Sequence, residues 1–203
     1  MQNTVIENIK DRRSIRDFEK KQLNKETLKE IIQAGKYAPS AKNDQPWKFI
    51  VITNQEYIQE LSKQIKVELK KILKMRFIKK FKIKELKNME LLKFLFVVAF
   101  SKKDMIFFNA PALVFIMTEK NLFYDESCAC CAQNMMLSAN SMGIGSCWIG
   151  FASVLGLNKK IMNKIEIPDK HHISAAIIFG YPKVKKNRAS IRKIGSDIIR
   201  WIE

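Results

Sequence analysis

The chain has 203 residues, of which 47% are hydrophobic and 37 are lysine or arginine, and its formal net charge at pH 7 is +17. This length suffices for one domain with a substantial core and is short for two. No apolar segment follows Met1, and Lys93 interrupts the longest apolar run, so we expect neither a signal peptide nor a membrane-spanning helix. Three of the four cysteines lie within four residues, which is too crowded for a disulfide framework and indicates a reduced, cytoplasmic protein.

Helices and strands are both predicted along the chain, and no hairpin signal dominates. Helices are predicted where apolar residues recur with helical spacing, as in the segment that Asn24 caps, and strands where short apolar runs are bounded by turn residues. The pattern favours an α+β or α/β single domain. In chain order the predictions are helices over 4–11 and 24–38, a strand over 47–53, an interrupted helix over 55–88, a strand over 112–118, a long helix over 125–143, a strand over 146–151, a helix near 154–164 and a strand over 173–181.

A strongly basic segment runs from Lys63 to Lys87, with eleven lysines and arginines against two glutamates, a local charge of +9. Such a charge is compatible with a nucleic acid or another anionic partner. Apolar residues recur within the segment roughly as one face of a helix requires, and no aromatic platform or recognised binding motif accompanies them. The sequence therefore favours a solvated helical face over a nucleic-acid surface.

Motifs for metal and nucleotide binding are absent from the sequence. Cys128, Cys130 and Cys131 lack a second, distant cysteine pair, and the histidines, His171 and His172, are adjacent. We therefore expect no metal site, and cysteines on a predicted helix are good small core residues. Neither a Walker nor a Rossmann glycine motif occurs, so a conventional phosphate-binding loop is not predicted.

The stretch DRRSIRDF, residues 11–18, places three arginines and a serine within five residues. Cations this close repel one another unless an anion lies among them. They could clamp a phosphate through guanidinium groups and a hydroxyl, or form a surface cluster paired with neighbouring carboxylates, and the residues alone leave both interpretations open. A second basic cluster, residues 183–188, could close on the same phosphate if the two ends of the chain meet in space.

Four segments, in this order, resemble the FMN-dependent nitroreductase family. Their combination is specific, whereas each alone is a weak signal, and together they span the chain except for roughly residues 60–108. They are RRSIRDF (12–18), similar to the phosphate and ribityl motif; APSAKNDQPWKFIV (38–51), similar to the helix–loop–strand signature; AQNMMLSANSMGIGSCWIG (132–150), similar to the central helix and the loop beneath the flavin; and IIFGYPKVKKNR (177–188), similar to the last strand and basic tail.

The resemblance implies a nitroreductase-like, FMN-binding α+β fold: an α/β/α sandwich with a mixed central sheet flanked by helices, in an intertwined homodimer. It implies one domain over residues 1–203 with a variable helical lid at about 60–108. NADH or NADPH would reduce FMN, which would then reduce an electron-poor acceptor, a nitroaromatic or a quinone, by a ping-pong mechanism. No catalytic side chain is assigned because the cofactor carries the reaction. Neither nucleic acid nor membrane is expected as a partner.

The resemblance also implies a set of cofactor-binding residues. A guanidinium at the pyrimidine edge of the isoalloxazine would stabilise the charge of the reduced flavin, and a glycine against the ring would let the backbone approach closely. The residues are Arg12, Arg13 and Ser14 at the phosphate and ribityl oxygens, Arg16 at the pyrimidine edge, Ile149 and Gly150 against the ring, Lys186 and Arg188 at the phosphate, and Pro39, Ser40 and Asn43, which would reach the flavin of the other subunit.

Two other functions remain open at the level of the sequence. One is a flavin-binding sensor or storage protein without efficient turnover. The other is a nucleic-acid-binding module, for which the net charge is the sole argument. The basic segment is further predicted to form a mobile lid over the open face of the flavin, where its charge would attract anionic partners.

Overall fold

The computed structural model describes residues 3–79, 89–184 and 200–202. Its elements follow the predicted order, with one further helix in the interval before the second strand. They are α1 (Thr4–Asp11), α2 (Lys25–Lys36), a 3₁₀ turn (Ala41–Asn43), β1 (Lys48–Ile52), α3 (Gln55–Lys79), α4 (Met89–Phe100), β2 (Ala112–Glu119), α5 (Tyr124–Ser141), β3 (Gly145–Trp148), a 3₁₀ segment (Gly150–Leu157), α6 (Lys159–Lys164) and β4 (His171–Gly180).

The four strands form one sheet in the order β1-β2-β4-β3, and all three neighbouring pairs are antiparallel. The α+β class is confirmed. Within the described residues the parallel pairing expected of a mixed sheet is confined to one bridge, between Ser14 and Ser146. Apolar periodicity predicts that a segment is a strand but carries no information on its direction relative to its neighbours, so the sequence could not foresee this arrangement.

Helices cover both faces of the sheet, as the predicted sandwich requires. Phe115 of β2 packs on one face in a core that includes Ile65 of α3 and residues of α4 and the 3₁₀ segment. Its neighbours Val114 and Ile116 pack on the other face against α2 and α5, where Cys131 is buried. Successive residues of a strand point to opposite faces, and the uninterrupted apolar character of β2 therefore follows from burial on both sides.

Predicted helix ends are confirmed where a local capping residue sets them. Asn3 accepts a hydrogen bond from the Val5 N–H at 3.1 Å, and Asn24 accepts one from the Thr27 N–H at 2.7 Å. Each bond satisfies a donor that the first turn of a helix leaves unpaired. The central helix ends before Gly143, whose φ of 72° lies in the left-handed region that favours glycine.

The strand predicted over 146–151 is shorter than expected. Trp148 is the last residue of β3 and pairs with Ile177, and the Ile149 N–H still donates to the Ala176 carbonyl at 2.8 Å. At Gly150 the chain leaves the sheet and enters the 3₁₀ segment. The apolar residues that suggested a longer strand instead cover one face of the sheet.

Helix α3 runs without a break where an interrupted helix was predicted, and residues 80–88 lie outside the described residues. Ile65, Leu69 and Leu73 are at most 5% exposed, which confirms the apolar face predicted within the basic segment. The lid at about 60–108 stays a prediction, and its described part contributes side chains to the core. Among the described residues no helix is both long and apolar enough to cross a membrane.

Candidate cofactor site

The arginine-rich stretch lies extended along the β3 edge of the sheet. The Ile15 N–H donates to the Ser146 carbonyl at 2.9 Å, and the Lys183 N–H donates to the Asp17 carbonyl at 3.1 Å. Phe18 is buried and forms an isolated antiparallel bridge with Pro182. The sheet thus fixes the backbone of this stretch, which we call the edge segment (residues 12–18), on both sides of Arg16.

Two glycines let the edge segment approach the sheet closely. A Cβ atom on Gly145 would lie 2.9 Å from Cβ of Ile15, and one on Gly180 would lie 2.8 Å from the Phe18 ring and 2.6 Å from Pro111. Real Cβ atoms essentially never make contacts this short. Both positions therefore require glycine because of the space available rather than because of an unusual φ.

Helix α1 brings the arginines to this edge although none of its own residues is buried. An amide pair holds it in place, since Nδ2 of Asn140 donates to Oδ1 of Asn8 at 2.6 Å and Nδ2 of Asn8 donates to the Leu137 carbonyl at 3.0 Å. Arg12 follows as the C-cap, with its N–H donating to the Asn8 carbonyl at 3.1 Å. The edge segment therefore starts at the last turn of α5.

Arg13 folds back on the end of α1. Its Nη1 donates to the carbonyls of Lys10 and Arg12, the latter at 2.8 Å, a favourable placement because carbonyl dipoles converge at a helix C-terminus. Its Nε is buried and has no hydrogen-bond partner among the described residues. The side chain lines a cavity of about 240 Å³ together with Asn140 and Gly145.

Arg16 lines a larger cavity of about 720 Å³. Its guanidinium carbon lies 5.9 Å from the centre of the Phe108 ring, within the range of a cation–π contact. Beneath the edge segment lies the thiol of Cys147. Burial raises the pKa of that thiol, and the guanidinium groups of Arg16 and Arg12 oppose the shift. The two arginines therefore act on a common region beside β3.

Ile149 and Gly150 differ in what they offer a ligand. Ile149 is buried and its N–H is used by the sheet, as described above, whereas Gly150 is exposed. The Gly150 N–H has no acceptor among the described residues, and a Cβ placed on Gly150 would meet nothing within 4 Å. Of the two residues, Gly150 is therefore the one whose backbone N–H is available to a ligand.

Pro39, Ser40 and Asn43 lie far from the arginines of the same chain. They belong to a turn of residues 39–45 before β1, at the opposite edge of the sheet. The turn rests on the first turn of α5, where the Ala41 N–H donates to Oγ of Ser127 at 3.3 Å. The edge segment lies at the other end of the same helix, so the structure does not bring the two predicted groups together within one chain.

Comparison with known proteins decides the family. The model of the nitroreductase family matches residues 9–181. The chain belongs to the nitroreductase family. An Archaeoglobus fulgidus relative named "Putative NADH dehydrogenase/NAD(P)H nitroreductase" is 27% identical over 182 residues, which cover 87% of this chain and 84% of the relative.

Solved nitroreductases share the fold. A nitroreductase from Bacteroides fragilis with bound FMN is 27% identical, covers 100% of both chains and has a TM-score of 0.79. A nitroreductase from Desulfitobacterium hafniense with bound FMN is 20% identical, with full coverage of both chains and a TM-score of 0.77, and this likeness bears on the fold alone. The nitroreductase-like fold predicted from the sequence is confirmed.

Two predicted phosphate ligands of this nitroreductase, Lys186 and Arg188, lie outside the described residues and beyond the matched range. Their role stays a prediction. Lys183, at the start of the same basic cluster, is bonded through its backbone to Asp17 of the edge segment. The sequence analysis required the arginine-rich stretch and the basic cluster 183–188 to meet in space. Lys183, the first residue of that cluster, meets this requirement.

Three of the four cysteines of this nitroreductase lie in its core. Cys128, Cys131 and Cys147 are buried, and Cys130 is exposed. Burial raises the pKa of Cys128 to about 11 and that of Cys131 to about 12, so both are neutral thiols at physiological pH. Within the part of the chain that the structure describes, no group of three or more metal-binding side chains occurs.

The sequence predicted a lid at about 60–108 but named no individual site residue among those that surround Arg16. They come from α3 and from the loop 101–109, and Asp104 organises that loop. Oδ1 of Asp104 accepts from the Ile106 N–H at 3.0 Å and Oδ2 from the Asn109 N–H at 2.9 Å. The sequence SKKD and the asparagine before Ala-Pro are turn signals, which could have indicated an ordered loop but not its position beside Arg16.

Proposed function

We propose that this nitroreductase is an FMN-dependent NAD(P)H oxidoreductase that reduces an electron-poor acceptor, a nitroaromatic or a quinone. The observation that carries the proposal is the edge segment. It holds three guanidinium groups and a serine beside β3, in a chain that matches an FMN-containing nitroreductase over its full length. The name of the Archaeoglobus fulgidus relative supports NADH or NADPH as the source of electrons.

The residues present fit an anionic, planar cofactor. Arg13 Nε is a buried donor without a partner among the described residues, and the space above Gly150 is open. Arg12, Arg13 and Ser14 would hold the phosphate and ribityl oxygens of FMN, and Arg16 would lie at the pyrimidine edge. When bound, FMN supplies the hydride and electron transfer, which no side chain provides.

The protein's own groups would bind and orient. Arg16 carries a permanent positive charge on an otherwise apolar support, the Phe108 ring, where it would stabilise negative charge on a neighbouring group. The N–H of Gly150 would donate a hydrogen bond to a ligand lying flat against it. Neither group needs to gain or lose a proton, in keeping with the absence of an assigned catalytic acid or base.

The active form is proposed to be a homodimer because one chain does not assemble the predicted site. The turn 39–45 precedes β1 and the edge segment lies outside β3, so about four strand spacings, about 19 Å, separate them across the sheet. Along α5, the 13 residues from Ser127 to Asn140 span about 20 Å. A turn donated by a second copy would remove this separation. Helix α1 also leaves Val5 64% exposed and buries nothing, an apolar surface suited to a partner chain.

The proposed location is the cytoplasm, and the support for it is the state of the cysteines. All four are free, and one of them, Cys130, is exposed to solvent. An exposed free thiol persists most readily where glutathione and thioredoxin keep thiols reduced.

Two measurements test the proposed function. A visible spectrum of the purified protein is expected to have flavin bands, and denaturation should release FMN. NADH or NADPH should then be oxidised when a nitroaromatic or a quinone is added. Bound FMN without such oxidation would favour the sensor or storage protein, and absence of FMN binding would refute the proposal.

The arginines are tested by substitution. Arg12→Ala is expected to weaken FMN binding more than tenfold, because a charge-assisted contact contributes about 1.5–3 kcal/mol. Lys25→Ala, which removes one exposed charge from helix α2, is the matched control and should bind FMN like the wild type. Equal FMN affinity of the two variants by fluorescence titration would remove Arg12 from the site.

The dimer is tested by mass. Light scattering at micromolar protein concentration should give twice the chain mass of 23.6 kDa. Asn43→Ala in one copy of a mixed dimer should weaken FMN binding at one of the two sites only. A monomer that retains FMN would contradict the composite site.

A further inference from the structure

The cavity beside Arg16 has a strongly uneven charge. Of the residues that line it, five are lysine or arginine and two are acidic. Its volume of about 720 Å³ is of the size that accommodates a small organic ligand. The cations are contributed by three separate parts of the fold, and they converge on one space: Arg16 of the edge segment, Lys63 and Lys66 of α3, and Lys102 and Lys103 of the following loop.

One of the acidic groups, Asp104, accepts four hydrogen bonds from the protein itself. Besides the loop amides already described, it accepts a hydrogen bond from Oγ of Ser62 at 2.6 Å and one from the Phe107 N–H at 3.1 Å. Its charge is thus used to fold the loop. A carboxylate surrounded by donors in this way is less available to neutralise nearby cations.

Of the four lysines that line the cavity, one donates hydrogen bonds to the described part of the protein and three do not. Nζ of Lys66 donates to the carbonyls of Ser101 and Lys103, at 3.1 and 2.7 Å, and so ties α3 to the loop. The ammonium groups of Lys63, Lys102 and Lys103 have no hydrogen-bond acceptor among the described residues, and all three residues are exposed. These groups can therefore turn towards an anion that enters the cavity.

The cavity also has an apolar, aromatic wall. Phe108 and Met105 are half-buried in it, and Phe108 has a φ of 55°, a conformation that is rare for a bulky side chain. The loop bonds to Asp104 hold this backbone in place. They keep the ring next to the guanidinium of Arg16, so a planar ligand would meet a flat apolar surface with positive charge at its rim.

We infer that this cavity binds the carboxylate end of the acceptor, and that the enzyme selects aromatic carboxylates over neutral aromatics. The inference rests on the proposed function, since Arg16 would serve both the flavin and the cavity. An aromatic acid satisfies both features at once: its ring packs on Phe108 and Met105, and its carboxylate pairs with the mobile ammonium groups. Phosphates of NADH or NADPH present the same anionic chemistry, so the experiment must separate the two sources.

The main experiment compares two acceptors of similar shape, 4-nitrobenzoate and 4-nitrobenzyl alcohol. For the wild type at low salt, kcat/KM should be higher for the acid. In Lys63→Gln/Lys102→Gln, kcat/KM for the acid should fall about five-fold, as expected for the loss of two exposed charge pairs, while kcat/KM for the alcohol changes less than two-fold. The loss should diminish at high salt, because the screening length is about 8 Å at physiological ionic strength.

Lys25→Gln/Lys29→Gln is the matched control, since it removes the same charge from exposed positions on α2. It should leave both acceptors unaffected. A non-reducible probe gives a readout other than turnover: benzoate should perturb the visible spectrum of the bound flavin in the wild type and bind about five-fold more weakly to Lys63→Gln/Lys102→Gln.

The outcomes separate the inference from the proposed function. If the protein retains no FMN and oxidises no NADH or NADPH, the proposed function fails. If it turns over both acceptors with equal kcat/KM, or the cavity variant loses no more than the control, the inference alone is overturned. Lys63→Gln/Lys102→Gln could instead leave the ratio of kcat/KM for the two acceptors unchanged and raise the KM for NADH and NADPH. That result would assign the cations to the nucleotide phosphates and overturn selection of the acid.

Discussion

Replacing Gly150 by alanine tests whether the open space above this residue is where the cofactor lies. Within the chain, the added Cβ would meet nothing within 4 Å, and Gly150 does not have a positive φ. The substitution should therefore leave the stability of the apo-protein within about 1 kcal/mol of the wild type, with any change in the stabilising direction, because alanine restricts the unfolded chain. With a ring packed against the backbone, the same methyl group becomes a steric intrusion.

The size of the effect follows from that contact. Inserting a methyl group into a well-packed contact costs about 1–3 kcal/mol, and about 2 kcal/mol corresponds to a roughly 30-fold increase in the Kd for FMN. The assay is a flavin fluorescence titration of the apo-protein, accompanied by its thermal unfolding. Gly156→Ala is the matched control, because Gly156 lies in the same 3₁₀ segment and a Cβ there also meets nothing within 4 Å.

Two results would refute this reasoning. If Gly150→Ala and Gly156→Ala bind FMN with the wild-type Kd, the ring does not lie against Gly150. If the apo-protein of Gly150→Ala unfolds several degrees below that of Gly156→Ala, the space above Gly150 is filled by the protein itself, and the loss of FMN would be indirect.

Three further predictions concern the stability of the fold and the burial of its thiols. Gly145→Ala should destabilise the protein by about 1–3 kcal/mol in chemical denaturation and release the edge segment, because its Cβ would overlap Ile15; wild-type stability would contradict the close approach. Hydrogen bonds to the buried carboxylate of Glu68, above all from Lys71, hold its pKa below the ordinary 4.5, so this carboxylate stabilises the fold above pH 4.5 and ceases to do so as pH falls through the lowered pKa. The Tm of Glu68→Gln should thus lie furthest below that of the wild type near neutral pH, and the difference should shrink in acid. A difference that stays constant with pH would contradict this role of Glu68. A thiol reagent at pH 8 should modify Cys130 alone in the native protein and all four cysteines after denaturation, and rapid modification of a second native thiol would contradict the burial of the others.

Much of the fold was predictable because its causes are local. The caps of α1 and α2 follow from an asparagine side chain that accepts from an amide within three residues, and the end of α5 follows from the left-handed φ of Gly143. The strand β2 was predicted from its continuous apolar run. The edge segment was singled out because three arginines close in sequence must also be close in space.

Tertiary structure decided what depends on residues far apart in the chain. The direction of the strands, the early end of β3 at Trp148 and the close packing of Ile15 on Gly145 are set by partners that no local pattern specifies. The cavity beside Arg16 is the plainest case, since its walls come from residues 16–17, 59–66 and 102–109. The sequence alone determined that guanidinium groups would cluster and need an anion. Their surroundings, and the separation of the turn 39–45 from them, depend on how distant elements pack, because burial and long-range contact are properties of the folded chain as a whole.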